Sequence, residues 1–223
     1  MFERLPSAES NGYTEPAERE AFKDGLSAGR FWGGIKVISA MAAERTIEQE
    51  QARYDKMTGA FTETALIEEI RTDLQANPDK PRGLFFIDLG NFKKANKRSQ
   101  DEGDQVLHQF GTRLRRLTDK FGRASDKADE FLVYVDLESR GGDRTPRETL
   151  DFEIQRLREA RDVLIAHHPH LDEGKVRLFV GIGGVIYDKN KSYEENRRLA
   201  NNEMIIAKAL GHLEYGQYRT EED

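Results

Sequence analysis

Apolar residues recur at helical spacing along several stretches of this chain and run continuously along others. Leu66, Ile67, Ile70 and Leu74 share one face and predict a helix over residues 63–75. Gly83–Leu89, GLFFIDL, follows the Asn77–Pro81 loop and is too short for a helix; it predicts a buried strand. Val106, Leu107, Phe110, Leu114 and Leu117 predict an amphipathic helix over 103–118. Phe131–Leu137, FLVYVDL, reads as a second strand. Leu150, Ile154, Leu157, Val163 and Leu164 mark a long helix. Val176–Tyr187, with Gly181, Gly183 and Gly184 inside it, predicts a third strand, residues 192–210 a last helix, and Leu213–Tyr218 a terminal strand. Helices alternating with strands of this length, one pair of them joined as a hairpin, give an α+β sandwich. The expected architecture is a ferredoxin-like palm, a central mostly antiparallel sheet flanked by helices.

The first 53 residues follow another pattern. Residues 1–15 are rich in Ser, Asn, Gly, Pro and charge and read as a flexible leader without the apolar run of a secretory signal. Residues 16–30 can form a helix, and helical character returns from Ile35 to Asp55 with a thin apolar stripe suited to packing on a partner or a second copy. Phe31–Ala43 is the most apolar early segment. It is too short to span a membrane and contains Lys36, so it reads as a docking surface or a partly buried helix. The expected organisation is a leader and helical segment over 1–53 and one domain over 54–219.

Composition narrows the chemistry. A formal net charge of -6 disfavours sequence-independent nucleic-acid binding, which rests on neutralising phosphates. The absence of cysteine removes disulfides, thiol catalysis and thiolate metal sites and suits a reducing cytoplasm. His167, His168 and His170 lack the i,i+4 spacing of a helical metal site and read as a polar loop. Asp88 ends the first predicted strand, and Asp129 and Glu130 begin the second. Carboxylates at neighbouring strand ends supply the hard oxygen donors that Mg²⁺ prefers.

Several short patterns then occur in one order. Asp55-Lys-Met-Thr58-Gly59 resembles the D-x-L-T-G opening of GGDEF domains. Asp88-Leu-Gly-Asn-Phe92-Lys93-Lys-Ala-Asn96 resembles D-x-D-x-F-K-x-x-N, and Gly103-Asp104-Gln-Val-Leu107 resembles G-D-x-V-L. Asp129-Glu130-Phe131 matches the last three letters of the signature, Val180-Gly-Ile-Gly183 a later strand, and Ala200 through Lys208 the closing helix. Together, over about 165 residues, they identify the chain as resembling the diguanylate cyclase family. The resemblance implies a palm of the nucleotidyl cyclase type. It implies Asp88 and Asp129 as metal ligands for Mg²⁺ or Mn²⁺, and Asp129 and Glu130 as catalytic carboxylates. It implies Asn96 and Asp104 as guanine readers, Lys93 as a phosphate contact, and Arg116 with Asp119 as a candidate inhibitory site for cyclic di-GMP. A cyclase of this family joins two GTP, so the resemblance also implies a homodimer.

The departures point the other way. The signature glycines are replaced by Lys127 and Ala128. If Arg123 is the family's arginine before the signature, the turn is two residues longer. The second Asp of D-x-D is Gly90. Gly141-Gly142-Asp143 is a decoy, placed in a loop after the strand. The expectation is therefore a degenerate GGDEF domain with weak or no cyclase activity. It would bind GTP or cyclic di-GMP, or a partner protein, in bacterial signalling. An active diguanylate cyclase is the first alternative and a ligand-free scaffold the second.

Overall fold

The structure, a computed structural model, describes Glu20 and residues 42–43, 45–46, 48–118, 120–124, 129–168 and 178–214. The chain divides into two compact units, Met1–Ala52 and Arg53–Asp223. In the first, the described residues are helical through Ala52. The helix predicted to reach Asp55 stops three residues earlier, because Asp55 is already committed to a turn. Its backbone N–H donates to Ala60 O and its carbonyl accepts from Gly59 N–H, both at 2.7 Å. The leader, the residue 16–30 helix apart from helical Glu20, and Phe31–Met41 lie outside the described residues.

The second unit runs β1 (Phe61–Thr62), α1 (Glu63–Ala76), β2 (Arg82–Gly90), α2 (Lys93–Arg98), α3 (Gln100–Leu117), β3 (Lys120–Arg123), β4 (Glu130–Asp136), α4 (Leu137–Gly141), α5 (Pro146–His167), β5 (Phe179–Ile186) and α6 (Tyr193–Glu214). The five strands form one sheet in the order β1-β3-β4-β2-β5. Only β1 with β3 is parallel; the other three pairings are antiparallel, as the palm reading expects. Short β1, β3, α2 and α4 are elements that the periodicity did not announce, since none is long enough to show a period. Leu213 and Glu214, assigned in advance to a terminal strand, continue α6 instead, and the rest of that strand lies outside the described residues.

Strand alternation sorts the core into two layers. Phe85, Ile87, Leu89, Phe131, Val133 and Val135 meet Val106, Phe110 and Leu114 of α3 and Leu150 and Leu157 of α5 on one face. Leu84, Phe86, Leu132 and Tyr134 meet Leu66 and Ile70 of α1 and Ala200 and Met204 of α6 on the other. The result is a sheet sandwiched between two pairs of helices. Burying an apolar side chain of this size contributes about 1.5–3 kcal/mol, so both layers matter to stability. No described helix is long and apolar enough to cross a membrane.

Candidate functional site

The ends of β2 and β4 bring acidic residues together. In the antiparallel register Asp88 lies directly opposite Glu130, and on its other side opposite Gly181 of β5. Asp88 shares strand parity with Leu84 and Phe86, and Glu130 with Leu132 and Tyr134, so both belong to the face covered by α1 and α6. Asp129 immediately precedes β4, and its carbonyl accepts from Leu89 N–H at 3.1 Å. The carboxylates feel each other. Burial, and then the charge of Asp88, push both the Asp129 and the Glu130 carboxyls above the usual carboxylate range, against the opposing pull of Lys208 and, respectively, of Lys93 and Arg197. Asp88 itself is paired: Lys208 Nζ of α6 donates to its Oδ1 at 2.7 Å.

All three acids offer oxygen donors, which suits Mg²⁺ or Mn²⁺. Among the described residues, no group of three or more His, Asp or Glu side chains is drawn together tightly enough to hold a metal as it stands. The donor chemistry therefore fits a divalent ion, while the coordination sphere is not prebuilt. Nor does β2 supply a further carboxylate at residue 90. A Cβ there would lie 2.1 Å from the far end of the Phe179 ring, which rests against the bare backbone of Gly90. Just beyond it Asn91 takes a left-handed φ of 65°, a conformation Asn tolerates, and starts the reversal into α2.

Lys93 opens α2 and its charge acts on Asp129. One turn later, Asn96 meets α3. Its Oδ1 lies where a Cβ on Gly103 would come within 1.8 Å, so the side chain rests on the backbone of Gly103, the residue before Asp104. Ser99 caps α3 by accepting from Glu102 N–H at 3.0 Å, which fixes the angle between the two helices. Asn96 and Asp104, separated by seven residues, are thus neighbours in space, and the short α2 links them to the carboxylates.

Asp104 lines an open groove of about 550 Å³ with Lys56, Met57, Gln105, His108 and Gln109. The groove lies between α3 and the turn that opens the domain. That turn is built by Asp55, whose Oδ1 accepts from Thr58 N–H at 2.9 Å and Thr58 Oγ1 at 2.6 Å. Gly59 needs its left-handed φ of 65° to close the turn. Buried Arg123 of β3 donates to both oxygens of Asp55, at 3.3 and 3.2 Å. His108 Nδ1 donates to Met57 O at 2.9 Å, because a carbonyl only accepts. In the neutral ring this leaves Nε2 as an acceptor.

Other sequence candidates fare differently. Arg116 is exposed in the last turn of α3, and Asp119 lies outside the described residues, as do Lys127 and Ala128 of the altered signature. His168 is buried, whereas His170 and the His167 side chain lie outside them. Lys208 and Arg197, which the sequence reading did not place at the site, reach it from α6. The available signal for Lys208 was its place in the i,i+4 row Asn196, Ala200, Met204, whose other members are buried.

The same architecture recurs among known proteins. The family model described as diguanylate cyclase, GGDEF domain, matches residues 52–213. The coiled coil and GGDEF domain of DgcB from Caulobacter crescentus, solved with c-di-GMP, is 15% identical, covers 84% of this chain and 96% of its own, and superposes with a TM-score of 0.65. A sensory box/GGDEF family protein from Caulobacter crescentus CB15 is 20% identical over 72% of this chain and 100% of its own, with a TM-score of 0.55. Diguanylate cyclase SiaD from Pseudomonas aeruginosa, solved with its activator SiaC, is 18% identical over 91% of this chain and 79% of its own, with a TM-score of 0.54. At these identities the structural likeness shows the fold alone. No curated protein matches the chain.

Proposed function

This chain belongs to the GGDEF domain family of diguanylate cyclases, and from that premise we propose that it is a guanine-nucleotide-binding regulatory domain of cyclic di-GMP signalling. The observation that carries the reading is the seating of Asn96 on Gly103, the residue before Asp104, together with the open groove that Asp104 lines. An amide and a carboxylate side by side complement the guanine edge: the carboxylate accepts from N1–H and the 2-amino group, and the amide serves the remaining positions. In this reading Lys93, at the start of α2, meets a phosphate. Asp88 and Asp129, with Glu130 beside them, would hold Mg²⁺ or Mn²⁺, whose charge offsets that of a triphosphate.

The same reading assigns weak cyclase activity or none. The Lys208 ammonium already neutralises Asp88, and the Phe179 ring covers the backbone of Gly90. A cytoplasmic location, where GTP is found, belongs to this proposal. So does assembly with a second copy or a partner through the first unit.

Thermal unfolding with GTP plus Mg²⁺, and separately with cyclic di-GMP, tests it. A ligand at 100 times its Kd stabilises the native state by about 2.7 kcal/mol, which raises the Tm by about 5–11 °C in a chain of this size. At least one of the two nucleotides should give such a shift, and Asp104→Ala should remove it while leaving the ligand-free Tm close to that of the parent. Neither nucleotide shifting the Tm would refute nucleotide binding and leave a scaffold. Chromatography of GTP incubated with the protein and Mg²⁺ completes the test. Intact GTP is expected. Cyclic di-GMP that accumulates, and does not with Asp129→Ala, would make the protein a cyclase.

A further inference from the structure

We propose that Lys208 is the resident cation of the carboxylate centre and must release Asp88 before a divalent ion can be held there. This rests on the reading of Asp88 as a metal ligand. The argument begins with α6. Asn196, Ala200 and Met204 are all buried at i,i+4 spacing, and Lys208 is the next member of the row. A lysine in that place points its stem along the sheet and not into solvent. It can lie there because two residues of β5 lack side chains. A Cβ on Gly183 would come 2.0 Å from Met204 N and 2.2 Å from Ala200 O, so its absence lets the helix sit directly on the strand. A Cβ on Gly181 would come 2.4 Å from Lys208 Cγ and 3.1 Å from Cδ, so its absence opens the track for the lysine stem. Gly181 is the residue that β5 sets opposite Asp88. The track therefore delivers the ammonium to the Asp88 carboxylate, where the 2.7 Å contact forms with side-chain exposures of 28% for Lys208 and 13% for Asp88.

Charge makes the contact exclusive. An ammonium on Asp88 satisfies that carboxylate and places a positive charge where a divalent ion would enter, at a partly buried position where screening by water is reduced. A metal that takes Asp88 as a ligand must displace Lys208 from the carboxylate, and it meets the repulsion of that charge as it enters. The nucleotide-free domain therefore binds divalent ions more weakly than its three carboxylates alone would allow. A lysine displaced in this way swings on its four-carbon stem and becomes available to an anion carried in with the metal.

The test is Mn²⁺ binding to the full nucleotide-free chain, read from the electron paramagnetic resonance signal of free Mn²⁺. Lys208→Met should tighten Mn²⁺ binding by about tenfold or more, the scale expected of removing one nearby like charge from a shielded site. Lys208→Gln, which keeps a hydrogen-bond donor for Asp88 and so protects the fold, should tighten it similarly. Lys208→Arg, which keeps the charge, should stay within about threefold of the parent, and Asp88→Asn should abolish the tight binding seen with Lys208→Gln. Affinity unchanged or weakened in both neutral variants, with Asp88→Asn still abolishing binding, would overturn the exchange and leave the metal site standing. No Mn²⁺ binding in any variant would overturn both the exchange and the metal assignment, while the nucleotide-induced Tm shift would still report separately on the base-reading groove.

Discussion

Gly183→Ala separates two opposed effects by their sign. Gly183 lies in β5 with an ordinary strand backbone, since only Gly59 and Gly142 among the described glycines have positive φ. At such a position alanine restricts the unfolded chain and stabilises by about 0.4–1 kcal/mol. The close approach of α6 predicts the reverse. The new methyl would sit 2.0 Å from Met204 N, 2.2 Å from Ala200 O and 2.6 Å from Glu203 C, and all three are backbone atoms that no rotamer change can move aside. Restoring ordinary contact at 3.4 Å requires α6 to retreat by about 1.4 Å. That loosens buried Ala200 and Met204 and draws Lys208 beyond hydrogen-bond reach of Asp88. Overpacking typically costs about 1–3 kcal/mol, and clashes with three backbone atoms place this one at the top of that range; a loss of about 3 kcal/mol lowers the Tm by about 6–12 °C. Urea denaturation followed by circular dichroism measures it, with an unchanged slope showing that the same fold is unfolding. Any stabilisation, or a loss below about 1 kcal/mol, would refute the seating of α6 on Gly183 and with it the track that carries Lys208 to the site.

Two further perturbations follow. Burial, and then the charge of Asp88, hold the Glu130 carboxyl above its usual 4.5, so the folded state keeps that proton more tightly than the unfolded chain does. Ionised Glu130 therefore costs stability at neutral pH, and the cost is relieved as pH falls through its raised folded value. Glu130→Gln should raise the ligand-free Tm at neutral pH, with the gain fading as pH falls through the raised folded value and gone below about pH 4; a lower Tm at neutral pH would count against the acidic cluster. Glu153 is buried in α5, bonded by Arg156 at 2.6 Å and approached by Arg140 at 3.5 Å, and both arginines also donate to Leu117 O at the end of α3. Glu153→Ala leaves two mostly buried guanidinium groups on Leu117 O without the Glu153 counter-charge and should cost about 3–5 kcal/mol, seen as a lower urea midpoint; a loss under about 1 kcal/mol would show the cluster to be dispensable.

By itself the sequence determined the layers of the fold and the list of acids. Helix periodicity at Leu66–Leu74 and Val106–Leu117, and the continuous apolar runs of β2 and β4, are local signals. Each follows from one element having to bury one face. The short patterns around Asp55, Asp88, Asp104 and Asp129 are local too, and they sufficed to name the family. Only the tertiary structure decided how these pieces meet. That Asp88 lies opposite Glu130 on one side and Gly181 on the other is a matter of register between strands far apart in the chain, which no local pattern carries. That Asn96 rests on Gly103 depends on the angle between α2 and α3. That Phe179 covers Gly90, and that Lys208 reaches Asp88 and not water, depends on side chains missing from one strand and a helix lowered onto another. A lysine read along the chain is a solvated charge. The same lysine at the end of a buried row, above two bare glycines, becomes the counter-ion of a carboxylate, because desolvation and proximity outweigh the freedom it gives up.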